Sequence, residues 1–530
     1  MRTKKLKARL SRTYGTVPDP YYFHGDMEYI RAYYDFRRET GRDQFLLDDI
    51  TWNDLDMDRV FQRINPSLST SGEQYLYYML RSPAVEEETF SARQSMIGLM
   101  ARDHDLRLQL QVILARLGCT RRADLCREFY PAHRGPGRLL LYLFLFLLVP
   151  LSALSILVAP KAGIFALIGT AVFNAMLHEY VIHRIQRDFD TVNYSVSMIF
   201  ALRRIQKLHH PDLDARLEKA YGGLDRLRSV IRTGGVSTAT DGGGVGDIIT
   251  TFLLLDLITY EFLKNKLGRC HEDVFAVHEG LGQIDAAIAI ASYRKSLDCF
   301  TEPVLDFHPG AKPHIHASGM VHPLLKHAVP NDLCTDASIL ITGSNASGKS
   351  TFLKTVALCA ILAQGICTCP AQSYHASVFR IYSSMALSDS LLSGESYYIV
   401  ETKSLKRILD QAVSGHAILC VIDEILRGTN TVERIAASST VLEHLSHTRS
   451  VCVAATHDIE LCELLKTQFQ MFHFEETIAG NQMVFDYALR VGPASSRNAI
   501  NLLKLMGFDD HLVENAHARA NAYLLDGIWK

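Results

Sequence analysis

The sequence lacks the cysteine pattern of a zinc-binding or disulfide-stabilised protein. Its 11 cysteines are scattered, the closest pair is Cys367 and Cys369, and no C-x-x-C pair occurs. The pair His314 and His316 has no carboxylate or cysteine at ligand spacing, so no metal site is predicted there. A chain of 530 residues can bury several cores without disulfides. We therefore expect about three or four domains in a reducing cytoplasm.

The sequence also lacks an excess of charge of either sign and a recognisable secretory signal. Lys+Arg number 55 and Asp+Glu 57, so any nucleic-acid surface must be a local patch. No apolar run follows the first residues for more than a hundred positions, so no secretory signal is expected. The first twelve residues carry six basic side chains and no acid. We expect residues 1–44 to begin as a solvated, disordered basic tail, with attraction to anionic lipid or nucleic acid as the alternative.

Long uncharged apolar runs occur in one part of the chain. Residues 139–159 contain no charged side chain, and as a helix they would extend about 31 Å, the thickness of a bilayer core. Pro160 and Lys161 interrupt the run, and residues 162–177 form a second one of about 24 Å. Basic residues flank both outer ends, which places both ends in the cytoplasm. A transmembrane hairpin within 138–182 is predicted, and a buried core hairpin is the alternative.

Soluble helical patterns lie on both sides of the hairpin, over residues 45–137 and 183–313. In the first segment, Ser and Thr caps precede a helix that Pro83 ends, and another helix begins at residues 86–88. In the second, a charged helical pattern covers 184–232, and a long helix covers 278–297. The apolar stretch 248–263 contains Asp256 and Glu261, which a membrane span would have to bury. A helix packed against protein is predicted there.

Residues 314–530 carry a nucleotide-binding pattern. From His322 onward strands alternate with helices, which predicts a mostly parallel sheet. An apolar strand at 338–342 leads into a G-x-x-x-x-G-K-S motif and then a helix. Backbone N–H groups of such a loop, with the helix N-terminus, bind phosphate oxygens. The predicted phosphate-binding residues are Gly343, Ser344, Asn345, Ala346, Ser347, Gly348, Lys349, Ser350 and Thr351.

Each polar group of this motif has an expected role. Lys349 is expected to reach the β- and γ-phosphates, and the Ser350 hydroxyl to bind Mg²⁺. A second buried strand, 417–422, ends at Asp423 and Glu424, 74 positions beyond Lys349. Asp423 is the predicted second magnesium ligand, and Glu424 the predicted base that polarises the attacking water.

Two further residues are candidates for contact with phosphate or another anion. A third strand, 451–456, ends at His457, and ligands of open α/β sheets bind at the carboxyl ends of strands. His457 is therefore predicted to contact the γ-phosphate or the water, with a structural histidine as the alternative. Ser396 stands at the start of a helix that runs to about Ala412, and the free N–H groups of that helix start offer another anion site.

These motifs resemble, in order and spacing, the ATPase domain of the MutS mismatch-repair family within the ABC-type ATPases. The matching segments are 343–351, 363–365, 370–371, Asp389 with 394–396, 423–430 and 455–457. Segments 321–325 and 329–333 resemble the family's lead-in beside the nucleotide base, and 487–507 resembles its closing segment. Residues 69–100 and 284–303 are similar, less strongly, to its lever domain.

The resemblance implies an α/β P-loop ATPase domain of the ABC type, preceded by an all-α lever domain that contains the inserted hairpin. It implies ATP and Mg²⁺ as cofactors and places His322 beside the base. It also implies a homodimer through the ATPase domains, in which Ser396 of one subunit meets the γ-phosphate held by the other. ATP binding would close the dimer and hydrolysis would reopen it, moving the long helices as levers.

Departures from the family's pattern also bear on function. Only about fifty residues precede the lever-like segment, too few for mismatch-reading and connector domains. No Phe-x-Glu wedge occurs in a suitable place, and Ser344 stands where the family usually has proline. The hairpin is inserted in the domain that carries the DNA clamp in the repair proteins.

Two functions are consistent with these features. The first is a membrane-anchored ATPase acting on DNA, on branched or unusual duplexes, with Arg203, Arg204 and Lys207 as candidate contacts. The second is an ATP-driven conformational switch that acts on a membrane protein partner without binding DNA. An ABC transporter is disfavoured, because two short spans per subunit offer no polar residues to line a path.

Overall fold

The computed structural model describes residues 2–18, 25–41, 43–120, 123–126, 138–228, 230, 245–344, 347–385, 397–479, 482–494, 500, 503 and 506–526. The chain forms two compact units that do not follow chain order. The helical unit comprises Met1–Arg42, Ile64–Tyr78 and Ser95–Lys295. The sheet unit comprises Asp43–Arg63, Met79–Gln94 and Ser296–Lys530.

The described helices, in chain order, are α1 (Arg2–Thr13), α2 (Asp26–Thr40), α3 (Asp49–Asp54), α4 (Met57–Ile64), α5 (Thr70–Arg81), α6 (Glu87–Arg102), α7 (His104–Leu117), α8 (Leu139–Ser155), α9 (Pro160–Gln206), α10 (Pro211–Arg216), α11 (Glu218–Arg226), α12 (Val245–Phe252), α13 (Leu255–Arg269), α14 (His271–Lys295), α15 (Lys349–Ile366), α16 (Tyr397–Ala412), α17 (Thr431–Ser446), α18 (Ile459–Leu465) and α19 (Asp510–Asp526). The described strands are β1 (Val304–Asp306), β2 (Ile315–Met320), β3 (Asn331–Thr335), β4 (Ser338–Thr342), β5 (Ser373–Ser377), β6 (Arg380–Ser384), β7 (Ile418–Asp423), β8 (Ser450–Ala455), β9 (Phe469–His473), β10 (Glu476–Ala479), β11 (Gln482–Phe485) and β12 (Arg490–Val491).

The basic N-terminal segment is ordered, so the expectation of a disordered tail is wrong. Residues Arg2–Thr13 form α1, and Leu10 is buried within the helical unit. Beyond the helix end, the backbone nitrogen of Gly15 donates to Ser292 Oγ at 2.9 Å. The guanidinium carbon of Arg107 lies over the ring of Tyr14, 3.9 Å from the ring centroid. A short apolar stripe and these contacts outweigh the repulsion among the basic side chains, which point to solvent.

The two apolar runs form an antiparallel helix pair, α8 and α9, joined at residues 156–159. The turn is tight at Gly163, where an added β-carbon would lie 2.5 Å from the backbone nitrogen of Ile156. Helix α9 is 47 residues long and continues beyond the apolar run, which ends at Leu177, into the charged region. No proline or glycine interrupts the chain between Thr170 and Gln206, so nothing in the backbone ends the helix there.

Two described helices, α9 and α14, are long and apolar enough to cross a membrane. Their surroundings differ, because 11% of the most apolar stretch of α9 is buried, against 89% in α14. Helix α14 is therefore a core helix of the helical unit. The stretch 248–263 is not one helix as predicted, because α12 and α13 are separated at Leu254, which has a φ of 53°.

The sheet unit contains a six-stranded sheet in the order β12-β9-β4-β8-β7-β6. All its described pairs are parallel except β12 with β9, in agreement with the predicted mostly parallel sheet. Strands β4, β7 and β8 are buried along their whole length, as expected for a parallel sheet that is covered on both faces. A separate four-stranded sheet, β1-β5-β2-β3, shows that strands begin before His322.

The register of the central strands brings three loop starts to one edge of the sheet. Ile341 of β4 and Asp423 of β7 both pair with Ala455 of β8. Residues that follow these strands therefore lie side by side. This is the edge at which open α/β sheets bind ligands.

Candidate active site

The phosphate-binding loop connects β4 to α15 and has glycine at both ends. Gly343 and Gly348 have φ values of 142° and 106°, in the region that favours glycine. A β-carbon at Gly343 would lie 2.7 Å from the carbonyl oxygen of Phe474, and one at Gly348 would lie 3.1 Å from the ring of Tyr487. Both glycines are thus required by backbone conformation and by close neighbours.

The hydroxyl groups of the loop have contrasting surroundings. Ser344 Oγ donates to Glu476 Oε2 at 2.8 Å. Ser347 Oγ is buried and has no hydrogen-bond partner among the described residues. Ser350 and Thr351 are exposed in the first turn of α15, where helical N–H groups are free to meet an anion. Of the predicted loop residues, Asn345 and Ala346 lie outside the described part of the chain.

Lys349 is folded back onto the loop that it ends. Its ammonium donates to the carbonyl oxygens of Gly343 at 2.8 Å and Ser344 at 2.7 Å. Burial lowers the pKa of Lys349 to about 8, although the carboxylates of Glu424 and Asp423 oppose that shift. The two loop carbonyls are neutral acceptors, which the ammonium can exchange for phosphate oxygens.

Asp423 is the last residue of β7, and its surroundings suit a cation. It is buried, and its Oδ1 atom has no hydrogen-bond partner among the described residues. Mg²⁺ prefers such hard oxygen ligands and is usually held by one or two protein oxygens together with substrate phosphates. Asp423 and the exposed hydroxyl of Ser350 therefore fit the metal that the loop motif implies.

Glu424 follows directly and adopts a φ of 53°, uncommon outside glycine. Its Oε1 atom lies 3.0 Å from His457 Nε2 and forms an ion pair with Arg427. Burial acts to raise the pKa of Glu424, but the hydrogen bond to His457 and the charge of Arg427 outweigh it, so the pKa is lowered. The carboxylate is thus ionised, as a base must be, and is held by two neighbours.

His457, which follows β8, joins the two other predicted catalytic residues. Its Nε2 atom lies 3.0 Å from Glu424 and 3.3 Å from Lys349 Nζ. Lys349 and His457 are 108 positions apart in the sequence, and the fold brings them into contact. The three side chains form one cluster at the carboxyl edge of the sheet.

A cavity of about 340 Å³ opens beside the loop. Gly348, Thr351 and Phe352 form one side, and His322 lies in its lining. The other lining residues are Met320, Leu325, His327, Ala328, Val329, Asn331, Thr355, Phe474 and Tyr487. Burial, with a smaller effect of Lys354, lowers the pKa of His322 to about 4, so its ring is neutral near pH 7. A largely apolar cavity next to a phosphate loop fits a flat heteroaromatic base.

Sequence reasoning missed several residues of this site. Arg427 pairs with Glu424, Glu476 accepts from the loop at Ser344, and Tyr487 covers Gly348. Glu476 and Tyr487 are more than a hundred positions from the loop. Arg427 and Tyr487 lie in segments 423–430 and 487–507, whose resemblance to the family was a signal, although it gave neither residue a role. No local pattern singles out Glu476.

The helix that begins after Ser396 is attached to the catalytic segment. Ser396 itself lies outside the described residues, and α16 begins at the next position. Glu401 of α16 is buried and accepts a hydrogen bond from the backbone nitrogen of Leu426, two positions beyond Glu424. Burial raises the pKa of Glu401, with the hydrogen bond from Leu426 opposing it.

Comparison with known proteins identifies the part of the chain that carries this site. Residues 339–523 match the model of MutS domain V. The chain is 34% identical to the DNA mismatch repair protein MutS of Thermus aquaticus over 206 residues, which are 38% of this chain and 25% of that protein. It is 29% identical to the DNA mismatch repair protein MutS 2 of Halobacterium salinarum over 272 residues, 49% of this chain and 30% of that protein. The matches thus span between a quarter and a third of these relatives.

Proposed function

Since the chain belongs to the MutS family through its domain V, we propose that it binds ATP with Mg²⁺ and hydrolyses it. The observation that carries this proposal is the cluster of Glu424, His457 and Lys349 at the end of the phosphate-binding loop. The base lies in the adjoining cavity beside His322. Mg²⁺, when bound by Asp423 and Ser350, supplies charge compensation for the phosphates.

The chain's own groups account for the hydrolytic step. Lys349 leaves the loop carbonyls and binds phosphate oxygens, while Glu424 orients a water molecule and accepts its proton. The water oxygen forms a bond to the γ-phosphorus, and the bond from that phosphorus to the bridging oxygen breaks. ADP and inorganic phosphate are the products. His457 stays within hydrogen-bond distance of Glu424 and stabilises the charge near the γ-phosphate.

The Glu424→Gln variant tests this assignment. General-base catalysis contributes about 10²- to 10⁴-fold, so we expect turnover to fall by that order while ATP binding is retained. Glu443→Gln, an exposed position of α17, is the matched control and should leave turnover unchanged. Phosphate release and equilibrium ATP binding are measured on the full chain. Unchanged turnover in Glu424→Gln would remove Glu424 from the role of base.

The ATPase is proposed to work as a homodimer with a lever movement. One chain has one phosphate-binding loop, and the family pattern completes each site with Ser396 of a second copy. Attachment of α16 to Leu426 through Glu401 supports this, because the helix that follows Ser396 in sequence is bonded to the catalytic segment. The Glu424→Gln variant with ATP should therefore form a dimer in sedimentation experiments, and Ser396→Arg should prevent it.

A membrane anchor is proposed for residues 139–177 on the exposure of the helix pair. Leu157, Val158 and Phe165, near the turn, are 81%, 89% and 77% exposed. Further large apolar side chains are exposed along both helices: Leu140, Phe144, Leu147, Leu151, Leu154, Ile168, Val172, Phe173 and Met176. An apolar surface of this extent in water marks a membrane or protein interface. The flanking basic residues support a topology in which the N-terminus and the ATPase domain are on the cytoplasmic side of the cytoplasmic membrane.

Extraction of membranes tests the anchor. We expect the protein to resist high salt and alkaline carbonate and to be released by detergent. A variant that replaces residues 139–177 with a short Gly/Ser linker is the control and should be recovered in the soluble fraction with its ATPase activity intact. Recovery of the unaltered protein in a salt wash would contradict insertion.

We propose that the ATP-driven movement of the long helices acts on DNA. The relatives are named as DNA mismatch repair proteins. In this chain, the exposed side chains of Arg203, Arg204 and Lys207 form a basic surface at the end of α9. The alternative is a membrane protein partner without DNA, and the exposed apolar hairpin in the lever region favours it.

A further inference from the structure

We propose that residues 245–258 form a third membrane element, a re-entrant segment that enters the bilayer beside the hairpin and returns to the cytoplasmic side. Its tip is the junction of α12 and α13 at Phe252–Leu254. The inference rests on the proposed insertion of the hairpin. It differs from that proposal in assigning a lipid contact to a segment separate in sequence from both apolar runs.

The first observation is the depth at which the junction lies. Asn174 of α9 donates through Nδ2 to the carbonyl oxygen of Phe252 at 2.9 Å and to that of Leu145 at 3.5 Å. Leu145 is six residues inside α8, which is about 9 Å below the cytoplasmic end of the apolar run. Leu254 and Leu257 pack in one apolar cluster with Tyr142, Leu145 and Val181. The junction therefore lies at a level of the hairpin that hydrocarbon surrounds if the hairpin is inserted.

The second observation is the way in which the broken backbone is satisfied. The left-handed Leu254 ends the helical path between α12 and α13, and carbonyl groups at such an end lose their helical donors. Broken helices at membrane depth are tolerated only where protein groups supply the missing partners. Asn174 supplies one, and it is only 1% exposed within an otherwise apolar run.

The third observation is a row of polar side chains on one face of α9. Thr170, Asn174 and His178 recur at intervals of four residues, so they lie on the same side of the helix. Thr170 Oγ1 lies 3.3 Å from Ser152 Oγ of α8, and His178 Nε2 lies 3.0 Å from Asp256 Oδ2 of α13. Polar groups of membrane helices face protein partners of this kind. Two of the partners, Phe252 and Asp256, belong to the proposed third element.

The fourth observation concerns the two ends of the segment. Helices α11 and α14 flank it in sequence, and Arg226 Nε of α11 donates to Asp273 Oδ2 of α14 at 2.9 Å. The described helices before and after the segment are therefore in contact with each other in the charged part of the helical unit. Residues 248–255 are uncharged, which is too short to span a bilayer core that needs about 20 residues. A segment that enters and returns fits both facts.

Lipid hydrocarbon is the occupant of the outer face of α12. Ile249 is 49% exposed there, and the exposed apolar surface of the hairpin is on the neighbouring helices. Single tryptophans report contact with hydrocarbon through quenching by lipids brominated in the acyl chain. The chain has only two tryptophans, Trp52 and Trp529, both distant in sequence from the hairpin. Their signal is subtracted by measuring the unaltered protein in the same vesicles.

The experiment uses the full chain in phosphatidylcholine vesicles with and without brominated acyl chains. The added tryptophan of Ile249→Trp should lose at least half of its emission, as should that of Phe165→Trp on the hairpin. Val413→Trp, an exposed position of the sheet unit, should lose none. Quenching of Phe165→Trp without quenching of Ile249→Trp would overturn the third element and leave the anchor standing. Absence of quenching in both would overturn the anchor and the third element together.

The role of Asn174 is tested in the same assay. Asn174→Leu should abolish most quenching of Ile249→Trp while Phe165→Trp stays quenched, because the carbonyl of Phe252 loses its donor while the exposed apolar surface of the hairpin is unchanged. Asn193→Leu, an exposed asparagine of the same helix, is the matched control and should change neither signal. Full quenching of Ile249→Trp in the Asn174→Leu background would show that Asn174 does not hold the segment.

Discussion

Lys349 and Glu424 are each bound to other groups of the protein. Lys349 donates to the carbonyls of Gly343 and Ser344, and Glu424 is held by His457 and Arg427. Nucleotide binding must replace the first set of contacts, and positioning of the water must replace part of the second. The resting contacts therefore hold the catalytic groups in place and also compete with their function.

The pKa of Lys349 gives a first prediction at the residue scale. Because burial lowers this pKa to about 8, the side chain loses its proton above that pH, whereas phosphate binding requires the ammonium. ATP affinity should thus be constant below pH 8 and fall by up to about tenfold per pH unit above it. Titration calorimetry between pH 7.5 and 9.5 measures this.

Lys349→Arg is the control for that prediction, because arginine keeps its charge over the whole range. Its affinity is expected to be lower at every pH but independent of pH. An equal fall in both proteins would assign the pH dependence to another group. A flat profile in the unaltered protein would mean that Lys349 keeps its proton in the free enzyme.

At the scale of elements, the start of α5 is capped by a different helix. Asp285 of α14 accepts from the backbone nitrogens of Leu68 at 3.0 Å and Ser69 at 2.8 Å, and from Ser69 Oγ at 2.6 Å. Gly72 permits this approach, since an added β-carbon there would lie 2.2 Å from Asp285 Oδ2. The contact fixes the core helix α14 against the beginning of α5 within the helical unit.

Asp285 provides the second prediction, a dependence of stability on pH. Burial raises its pKa to about 7, although the hydrogen bonds from Ser69 and Leu68 act in the opposite direction. The folded state then binds a proton that the unfolded chain, with a pKa near 3.9, releases between about pH 4 and 7. The free energy of unfolding should therefore fall with rising pH across that window, by at most about 1.4 kcal/mol per pH unit.

Urea denaturation of the detergent-solubilised protein at pH 4.5, 6 and 8 measures this slope. Asp285→Asn cannot titrate and should remove the part of the slope that is due to this group. Asp103→Asn alters a capping aspartate of α7 that is accessible to solvent, and should keep the slope. A slope that survives in Asp285→Asn would show that the carboxylate stays ionised in the folded state.

The elements that could be predicted are those whose signals are local. Strands β4, β7 and β8 are uninterrupted apolar runs, and the glycines of the phosphate loop stand at fixed spacing. The prediction of a disordered tail in place of α1 was wrong because it rested on the many basic residues. The segment also has a short apolar stripe that ends at buried Leu10. The break at Leu254 could not be predicted, because no glycine or proline lies there. A side chain from another helix, Asn174, donates a hydrogen bond to the backbone beside the break.

The candidate site divides in the same way. Four residues of the site could be predicted, because they follow apolar strands or belong to a known motif: Lys349, Asp423, Glu424 and His457. Glu476 reaches the loop 132 positions away from Ser344, and Glu401 reaches the backbone of Leu426 from a separate helix. Contacts of this kind depend on the packing of elements, which local patterns do not contain.

At the scale of the whole molecule, the two proposed functions would use opposite ends of one helix, α9. The charged end of α9 exposes Arg203, Arg204 and Lys207, while its other end is the apolar hairpin. A movement of this helix would act on DNA at one end or on a membrane partner at the other. The domain V match covers neither end, so the choice between them rests on the surface of the helix.

Salt dependence of DNA binding decides between these functions. If the three basic side chains contact phosphates, affinity for a branched duplex should fall steeply with salt, with a logarithmic slope of about −0.9 per contact. Replacing Arg203, Arg204 and Lys207 by alanine should reduce that slope by up to about 2.7 and leave basal ATP turnover unchanged. Replacement of Lys403, Lys406 and Lys466, three exposed lysines of the sheet unit, is the charge-matched control and should keep the slope. Binding and ATP turnover that do not respond to duplex, branched or single-stranded DNA would exclude the DNA function. That result would favour the alternative proposal, in which a membrane protein partner binds at the hairpin end of α9.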